Sequence, residues 1–502
     1  MRITILPNAM KALEGIYMKN EGIPSILLME QAAHGILDAI RHFASPGDEV
    51  VFLCGPGANG GDGYAAAKLW SLTGGISLIL ETSHDTAGDA HVNRSLAIST
   101  GCLFPEPSQE VFAHARLIVD ALFGTGLSKP VSGDAAHLIS LAADSGLQVI
   151  AVDIPSGLSG ATGDLLGPCL HCVETITFHR PKDGLYLKKG PSVTGRIVVH
   201  PIFIPENYGM TEGCTDDFQG MHVLEEQDLP ALLPSRPKDA HKGTFGRTVI
   251  FAGSEGMAGA AAFCAGAAIR GGSGLTTILC LPALLPVLQT LVPGATCRVL
   301  PDLGEKGLSI AADTLNSADR AIIGCGLSQS PDLLPFLELF RKASCPVVWD
   351  ADALNLLAAH PELLPLPAMH IITPHPGEAA RLLRTGVSHI TDQPLLALRE
   401  LHTHTGAHVL LKGACTLMTD GTHVAVHPFP TPALAKGGSG DLLSGLLAGL
   451  IGRVHEPQSC LRMLRTMQTA VFLHARAGQR AAEVSGEDSV TPEDILRAIR
   501  LF

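Results

Sequence analysis

The chain has 502 residues, a formal net charge of -13, 46% hydrophobic residues, 54 glycines and 34 prolines. Its length suits two large domains, and the high glycine and apolar content favours an α/β architecture with buried parallel strands. The negative charge and the aromatic content of only 4% argue against a nucleic-acid-binding protein, which needs a positive surface and often aromatic stacking platforms.

The chain contains no apolar stretch near the roughly 18 residues that a membrane span requires, and residues 1–20 contain no signal-peptide core. We therefore expect a cytoplasmic protein that does not bind membranes. Cys169 and Cys172, with His171 between them, could form half of a zinc site. Because no second pair has matching spacing, we favour small buried residues on a strand.

Three apolar runs in the first half each lead into a loop that contains glycine: Glu49–Cys54, Leu117–Ala121 and Val149–Asp153. Repeated strands and loops of this kind predict a parallel sheet. Ligands of such sheets bind at the carboxyl ends of the strands, where these loops would converge.

The loop after the first run, Gly55–Gly60 (GPGANG), matches the GxGxxG pattern of dinucleotide-binding proteins, and Glu81 ends the next run, where a ribose-binding acid belongs. A dehydrogenase is therefore one alternative. Asp62 weakens it, because its carboxylate would lie beside the pyrophosphate, which has the same charge.

Polar side chains follow each of the three predicted strands. Asn59, Asp120 and Ser156 offer oxygen atoms of the type that alkali and alkaline-earth cations prefer. The alternative is that they stabilise a turn, a strand end and a helix start. Asp153, just before Ile154 and Pro155, is the carboxylate best placed to abstract a proton.

These motifs resemble the YjeF N-terminal domain family from about Lys11 to Pro205. The matching segments are 57–63 (GANGGDG), 120–126 (DALFGTG), 152–157 (VDIPSG), 162–163 (TG), 175–178 (TITF) and 182–184 (KDG). The resemblance implies a Rossmann-like NAD(P)H-hydrate epimerase, which interconverts the R and S forms of the 6-hydroxylated cofactor. Glu14 replaces a usual Asp, and Cys169 and Cys172 replace usual alanines.

The resemblance also implies the site residues of this first half. Asp153 would be catalytic, and Asn59, Asp120 and Ser156 would bind K⁺. The residues expected to contact the substrate are Ala58, Asn59, Gly60, Gly61, Asp62, Gly124, Thr125, Gly126, Leu127, Ser128, Lys129, Pro130 and Asp153.

The second half repeats the pattern of apolar runs and loops, which predicts a second α/β domain. The runs are Thr248–Ala252, Ala321–Ile323, His370–Thr373 and His408–Leu411. The aperiodic segment Pro205–Phe218 suits a linker, so we place the domain boundary near Thr215, between domains 1–215 and 216–502. Thr491 and Pro492 predict the start of a closing helix.

The segment 436–443 (KGGSGDLL) predicts an anion-binding loop at the start of a helix. The backbone N–H groups of Gly437–Gly440 would bind a phosphate, and Asp441 would take a proton from a substrate hydroxyl, as phosphoryl transfer requires. A tight turn with an Asp cap is the alternative. The segment Lys412–Thr416 offers further phosphate ligands. His375 lies on a loop between two prolines. The P-loop motif GxxxxGK[ST] does not occur in the sequence.

From roughly His222 to Ile499 the chain resembles the YjeF C-terminal, or carbohydrate-kinase, family. The matching segments include 241–246 (HKGTFG), 324–327 (GCGL), 373–378 (TPHPGE) and 438–441 (GSGD), with Ser439 in place of a usual Thr. The resemblance implies a ribokinase-like NAD(P)H-hydrate dehydratase that uses ADP or ATP, with Mg²⁺. Its hydrated cofactor would contact Ala260, Gly326, His375 and Asp441, and its nucleotide would contact Lys412, Gly413, Ala414, Cys415, Thr416 and Gly440.

The two resemblances together imply a bifunctional repair enzyme that acts on hydrated NADH and NADPH (NADHX and NADPHX), and we expect a homo-oligomer. Two alternatives remain open. The second domain could be a kinase for the hydroxyl group of a small molecule, and the first could be a binding scaffold without activity. The roles of Lys182 and Lys436 are also open.

Overall fold

The computed structural model describes residues 1–209, 220–429 and 431–501. The chain forms two compact units, Arg2–Met221 and His222–Phe502, called here the N-terminal and the C-terminal unit. The boundary predicted near Thr215 lies outside the described residues. Within the described ranges, no helix has both the length and the apolar character needed to cross a membrane.

The N-terminal unit is built on a six-stranded sheet in which all neighbouring strands are parallel. Its strand order is β3-β2-β4-β5-β6-β7. The six strands of this sheet are β2 (Glu49–Cys54), β3 (Ile76–Glu81), β4 (Ala115–Ala121), β5 (Val149–Val152), β6 (Glu174–Phe178) and β7 (Arg196–His200); a short strand that precedes them, β1 (Arg2–Ile3), does not belong to it. The three predicted strands are therefore confirmed as β2, β4 and β5.

Helices cover this sheet, because its strands are apolar on both faces. Along β2, Val50 and Phe52 belong to one buried core, whereas Val51 and Leu53 belong to another. Alternating residues of a strand point to opposite faces, so each face has its own core. The helices are α1 (Pro7–Glu21), α2 (Ser25–Ile40), α3 (Ala58–Leu72), α4 (Gly88–Ser99), α5 (Gly133–Ser145) and α6 (Gly190–Val193).

The C-terminal unit has a larger mixed sheet with the order β8-β17-β16-β15-β14-β13-β12-β9-β10-β11. The hairpin strand β16 is antiparallel to both neighbours, and the other pairs are parallel. The strands are β8 (His222–Val223), β9 (Arg247–Phe251), β10 (Leu275–Cys280), β11 (Thr296–Val299), β12 (Arg320–Ile323), β13 (Val347–Trp349), β14 (Ile371–Ile372), β15 (His408–Leu411), β16 (Thr416–Thr419) and β17 (Val424–His427).

Among the helices of this unit, α8 and α16 pack closely because glycines lie at their crossing. A Cβ atom at Gly445 would lie 2.1 Å from the carbonyl oxygen of Cys264, so no larger residue fits there. The helices are α7 (Leu229–Leu232), α8 (Ala258–Arg270), α9 (Leu285–Leu291), α10 (Glu305–Leu315), α11 (Leu334–Arg341), α12 (Asp352–Ala359), α13 (Pro376–Leu383), α14 (Val387–Asp392), α15 (Pro394–Thr405), α16 (Ser439–Leu450), α17 (Arg462–Ser485) and α18 (Pro492–Ala498). Thr491 caps α18 as predicted.

Candidate active sites

The N-terminal unit contains a cavity of about 1120 Å³ at the carboxyl ends of β2, β4 and β5. The chain passes from β2 to β3 on one side and returns as β4 on the other, so the strand order reverses between β2 and β4. Open α/β sheets bind their ligands at such a reversal. The cavity is therefore the candidate active site of this unit.

Eight of the predicted substrate contacts line this cavity: Ala58, Asn59, Asp62, Gly124, Thr125, Gly126, Leu127 and Asp153. The five others do not line it. Gly60 and Gly61 pack inside the unit, where a Cβ atom would clash with Gly55 and Met29 respectively. Ser128, Lys129 and Pro130 are exposed residues that follow the lining segment.

Asp153 follows β5 with a φ of +64°, a backbone conformation that residues other than glycine rarely adopt. Its carboxylate is in contact with the ammonium group of Lys182. Thr177 also donates a hydrogen bond of 3.0 Å to Oδ1 of Asp153, and Lys182 donates one of 3.1 Å to the Thr177 hydroxyl. The three side chains form a closed triangle, in which Lys182 is only 1% exposed.

Two more carboxyl groups line the cavity, those of Asp62 and Glu14. Burial, the Asp153 carboxylate and the Glu14 carboxylate raise the pKa of Asp62 well above its usual value, against a smaller opposing effect of Lys182. Burial also raises the pKa of Glu14, while Lys182 lowers it and Asp153 raises it. The cavity therefore combines one carboxylate paired with a cation and two carboxyl groups that favour protonation.

Asp120 and Ser156, two of the predicted cation ligands, are hydrogen-bonded behind the cavity wall. The Ser156 hydroxyl donates to Oδ1 of Asp120 at 2.6 Å and its backbone amide donates to Oδ2 at 2.8 Å. Asp120 is fully buried, and burial raises its pKa. The third ligand, Asn59, packs against Gly124, and its buried Nδ2 atom has no hydrogen-bond partner in the described chain.

A flip of an amide side chain exchanges its oxygen and its nitrogen, so the unpartnered position of Asn59 can equally hold the oxygen. An unpartnered amide oxygen in that position fits a cation site. Asp120 also receives hydrogen bonds only from neutral donors among the described residues. A monovalent cation near Asn59, Asp120 and Ser156 would balance the buried Asp120 charge. These residues therefore fit the predicted K⁺ ion.

The structure removes the support for two alternative interpretations of this unit. Glu81, which a dehydrogenase would use to bind ribose, is instead bonded to Arg94 at 2.6 Å and to the Tyr64 hydroxyl at 2.9 Å. Burial raises the pKa of Cys169 to about 12 and that of Cys172 well above its usual value. In the part of the chain that the structure describes, these cysteines belong to no group of three or more His, Cys, Asp or Glu side chains that could hold a metal ion.

The candidate site of the C-terminal unit lies where α16 begins. The backbone N–H groups of Gly437, Gly438 and Gly440 make no hydrogen bond within the described residues. A Cβ atom at Gly440 would lie 3.5 Å from Nζ of Lys412, so that ammonium group lies beside the start of the helix. Free amides, the positive end of a helix dipole and a lysine are together the kind of groups that bind phosphate in proteins.

Lys412 is held by a buried carboxylate, Asp350, which follows β13. Its Nζ donates to Oδ1 of Asp350 at 2.8 Å and lies 3.9 Å from Glu378. The Ser444 hydroxyl and the Ala351 amide also donate to Asp350, at 2.6 and 2.9 Å. Burial lowers the pKa of Lys412, but the two carboxylates outweigh this effect and raise it.

Asp441 lies in the first turn of α16, as predicted, and its environment favours protonation. Burial and the Asp350 carboxylate raise the pKa of Asp441 to about 6, although a hydrogen bond with Cys325 and the Lys412 charge partly oppose them. A carboxyl group with a pKa near neutrality is a suitable general base, because it is ionised at pH 7 and still accepts a proton readily.

The remaining predicted contacts have more varied surroundings. A Cβ atom at Gly326 would lie 2.8 Å from that of Ala260, so these two residues are neighbours. His375 caps α13, and its Nδ1 accepts hydrogen bonds from the amides of Gly377 and Glu378. In the loop from Lys412 to Thr416, the Thr416 hydroxyl donates to Gly413 O at 3.2 Å, while Gly413 and Ala414 are exposed and Cys415 is partly exposed.

The sequence interpretation missed two charged residues of the C-terminal site, Asp350 and Glu378, as well as Ser444. The signal for Asp350 was present. The apolar run Val347–Trp349 followed by an Asp has the same pattern as the strands that were recognised, but three residues are too few for a convincing strand prediction.

Comparison with known proteins relates each unit to a protein family. A family model described as YjeF-related protein N-terminus matches residues 25–184, and one described as NAD(P)H-hydrate dehydratase matches residues 248–501. A bifunctional NAD(P)H-hydrate repair enzyme of Coxiella burnetii is 32% identical over 492 residues, which cover 96% of this chain and 95% of the relative. Its counterpart in Escherichia coli is 33% identical, over 91% of this chain and 87% of its own length.

Among solved structures, a ribokinase-like superfamily protein of Enterococcus faecalis is similar to part of this chain. It has 26% sequence identity and a TM-score of 0.50, and the match covers 56% of this chain and 95% of that protein.

Proposed function

The chain belongs to the family of bifunctional NAD(P)H-hydrate repair enzymes. On this basis we propose which reaction each of its two units catalyses. The chain epimerises the R and S forms of NADHX and NADPHX and dehydrates the S form to NADH or NADPH. We assign epimerisation to the N-terminal cavity and dehydration to the site at the start of α16. The observation that carries this assignment is the presence of both matched segments in one chain.

The predicted fold classes, Rossmann-like in the N-terminal unit and ribokinase-like in the C-terminal unit, are confirmed. The alternatives of a hydroxyl kinase and of a scaffold without activity find no support in the relatives, which are named as repair enzymes over nearly their whole length.

In the epimerase site, we assign the general base to Asp153. The C6 carbon of the hydrated ring carries a hydroxyl beside the ring nitrogen, so its configuration changes when hydroxyl leaves and water returns on the other face. Asp153 lines the cavity, and Lys182 and Thr177 hold its carboxylate in one orientation. A base fixed in this way accepts the proton of the incoming water without first reorganising.

In the dehydratase site, we assign the proton acceptor to Asp441. ADP or ATP donates its terminal phosphoryl group to the 6-hydroxyl, and Asp441 accepts the hydroxyl proton. Phosphate then leaves C6 and a proton leaves C5, which restores the C5=C6 double bond of the dihydropyridine ring. The free amides of Gly437, Gly438 and Gly440, together with Lys412, lie where they would bind the phosphates. Developing charge on the transferred group is stabilised by such donors.

We further assign K⁺ to Asn59, Asp120 and Ser156, where it would supply positive charge behind the cavity wall. Mg²⁺ would accompany the adenine nucleotide. The nucleotide contacts are assigned to Lys412–Thr416 and Gly440, and the contacts with the hydrated cofactor to Ala260, Gly326 and His375. We also propose a cytoplasmic location and a homo-oligomer, which sedimentation of the purified chain would test.

The test of this function is recovery of NADH from a racemic mixture of its hydrates. The purified chain should restore the NADH absorbance completely when ADP or ATP is added. An Asp153→Asn variant should stop near half recovery, because only the S form is consumed. An Asp441→Asn variant should recover NADH only at a strongly reduced rate. Folded wild-type protein that recovers no NADH with either nucleotide would overturn the proposal.

A further inference from the structure

The three carboxyl groups of the N-terminal cavity differ in their partners. In Asp153, both the Lys182 ammonium and the Thr177 hydroxyl donate to the same atom, Oδ1. Among the described residues no donor reaches Oδ2, so Oδ2 is the oxygen available for proton transfer. Lys182 is itself fixed, because its backbone lies in a bridge with Ile5 and Ile5 N donates to Pro181 O at 2.9 Å.

Asp62 lines the same cavity without such support. Its side chain makes no hydrogen bond or ion pair with a described residue, and its charged neighbours are Asp153, Glu14 and Lys182. The positive charge of Lys182 is already engaged by Asp153 and Thr177. Asp62 is therefore surrounded mainly by negative charge, which favours its protonated form.

Other cations on the elements packed against α3 do not change this balance. Lys68 of α3 is bound to Glu30 of α2 at 2.9 Å, and Arg94 of α4 is bound to Glu81 at 2.6 Å. Each of these cations is already neutralised by its own partner. A pair of carboxyl groups in different protonation states is the usual arrangement for acid and base catalysis in one site.

Building on the proposed epimerase function, we propose that Asp62 is the proton donor of epimerisation and acts together with Asp153 as the acceptor. Asp62 gives its proton to the 6-hydroxyl, the C6–O bond breaks, and water leaves. The lone pair of the ring nitrogen forms a C=N double bond to C6. A water molecule then adds to the other face of C6 and gives one proton to Oδ2 of Asp153.

One proton is consumed at Asp62 and one is gained at Asp153, so the sum of the charges on the two side chains is unchanged. The enzyme that results, with Asp153 protonated, is the form that converts the epimer in the reverse direction. Proton exchange with water in the cavity restores the first form. The site thus catalyses both directions with the same two residues.

The variants that test this proposal are Asp62→Asn, Asp62→Glu and the matched control Glu14→Gln, a second carboxyl group of the same cavity. We expect Asp62→Asn to lower kcat of epimerisation about 10²- to 10⁴-fold, the usual effect of losing a general acid, with a smaller change in KM. Asp62→Glu should restore part of kcat, and Glu14→Gln should change it only a few-fold. Equal kcat values for wild type and Asp62→Asn, or a larger loss in Glu14→Gln, would overturn the proposal.

The pH dependence gives a second measurement. Because the pKa of Asp62 is raised, wild-type kcat/KM should fall only when the pH rises well above the usual range of a carboxyl group. This fall should be absent from the residual activity of Asp62→Asn. Dehydration of purified S epimer by the C-terminal unit should be unchanged in every variant, which shows that the substitutions act only on the N-terminal unit, and partial recovery of kcat in Asp62→Glu separates loss of the proton donor from misfolding of that unit.

Wild-type protein in ¹⁸O-labelled water tests the bond that breaks. Each inversion should place one labelled oxygen on C6, so that product quenched early contains one label per epimerisation above the uncatalysed rate. Inversion without label would show that the C6–O bond stays intact and would overturn the proposal. Failure of wild-type epimerisation in the same assay would instead contradict the proposed function itself.

Discussion

Replacement of Asp441 by Asn should strongly slow dehydration and at the same time stabilise the C-terminal unit. The pKa of Asp441 is raised from its usual 3.8 to about 6, and at 1.36 kcal/mol for each pH unit this corresponds to about 3 kcal/mol. The folded unit binds the Asp441 proton more tightly than the unfolded chain. The contribution of Asp441 to stability is therefore greatest at low pH and is lost as the pH rises from about 4 through about 6.

Asn has no charge to desolvate, so the variant should gain up to about 3 kcal/mol at pH 8 but only about 1 kcal/mol at pH 4.5. Urea unfolding followed by the fluorescence of buried Trp349 measures this difference, in a Trp70→Phe background that removes the only other tryptophan. Asp313→Asn, at an exposed carboxylate on α10, is the matched control and should change neither stability nor activity.

The activity of the same variant should fall about 10²- to 10⁴-fold when dehydration of the S epimer is measured, because the proton acceptor is lost. A variant that is less stable at pH 8, or equally stabilised at both pH values, would show that ionised Asp441 carries no energetic penalty. Dehydration at the wild-type rate would refute its role as the base.

Three further predictions concern residues that support one or the other of the two sites. Lys182→Met should destabilise the N-terminal unit by roughly 3–5 kcal/mol, because the Asp153 carboxylate loses its buried cation. Urea unfolding followed by Trp70 fluorescence in a Trp349→Phe background measures this, with exposed Lys189→Met as the control, and equal midpoints would contradict it. Asn59→Leu should abolish any activation of epimerisation by K⁺ over Na⁺, and an unchanged response in a KCl titration would exclude Asn59 as a ligand. Asp350→Asn should lower the pKa of Asp441, since a neighbouring negative charge is removed, so the acid limb of the dehydratase pH profile should move to lower pH while KM for ADP or ATP rises; a profile identical to wild type would argue against this coupling.

The strands that carry the sites could be predicted because buried parallel strands are continuous apolar runs. Glu49–Cys54 has the bounds that were predicted, and the runs that end near Asp120 and Asp153 are both strands of the same sheet. The loops after such strands meet at one edge whatever their distance in the sequence. Asn59, Asp120 and Asp153 could therefore be placed near one another without any knowledge of side-chain contacts.

The partners of these residues could not be predicted, because they depend on register and packing between distant segments. Lys182 reaches Asp153 only because β6 lies beside β5, and Asp350 meets Ser444 across 94 positions of sequence. Periodicity reports which face of an element is buried but does not report which polar groups meet inside. The hairpin strand β16, which follows the turn that contains Lys412–Cys415, was also not recognised from its sequence.

The same electrostatic arrangement occurs independently in both units. In each, a lysine is paired with one carboxylate, Lys182 with Asp153 and Lys412 with Asp350. A second carboxyl group nearby has no cation of its own, and burial together with the first carboxylate raises its pKa; these groups are Asp62 and Asp441. A single lysine thus separates the protonation states of two carboxyl groups, which reactions that move protons on and off one hydroxyl require. In the C-terminal unit, the free glycine amides at the start of α16 also lie beside this pair of carboxyl groups, where they would bind the phosphates of the nucleotide.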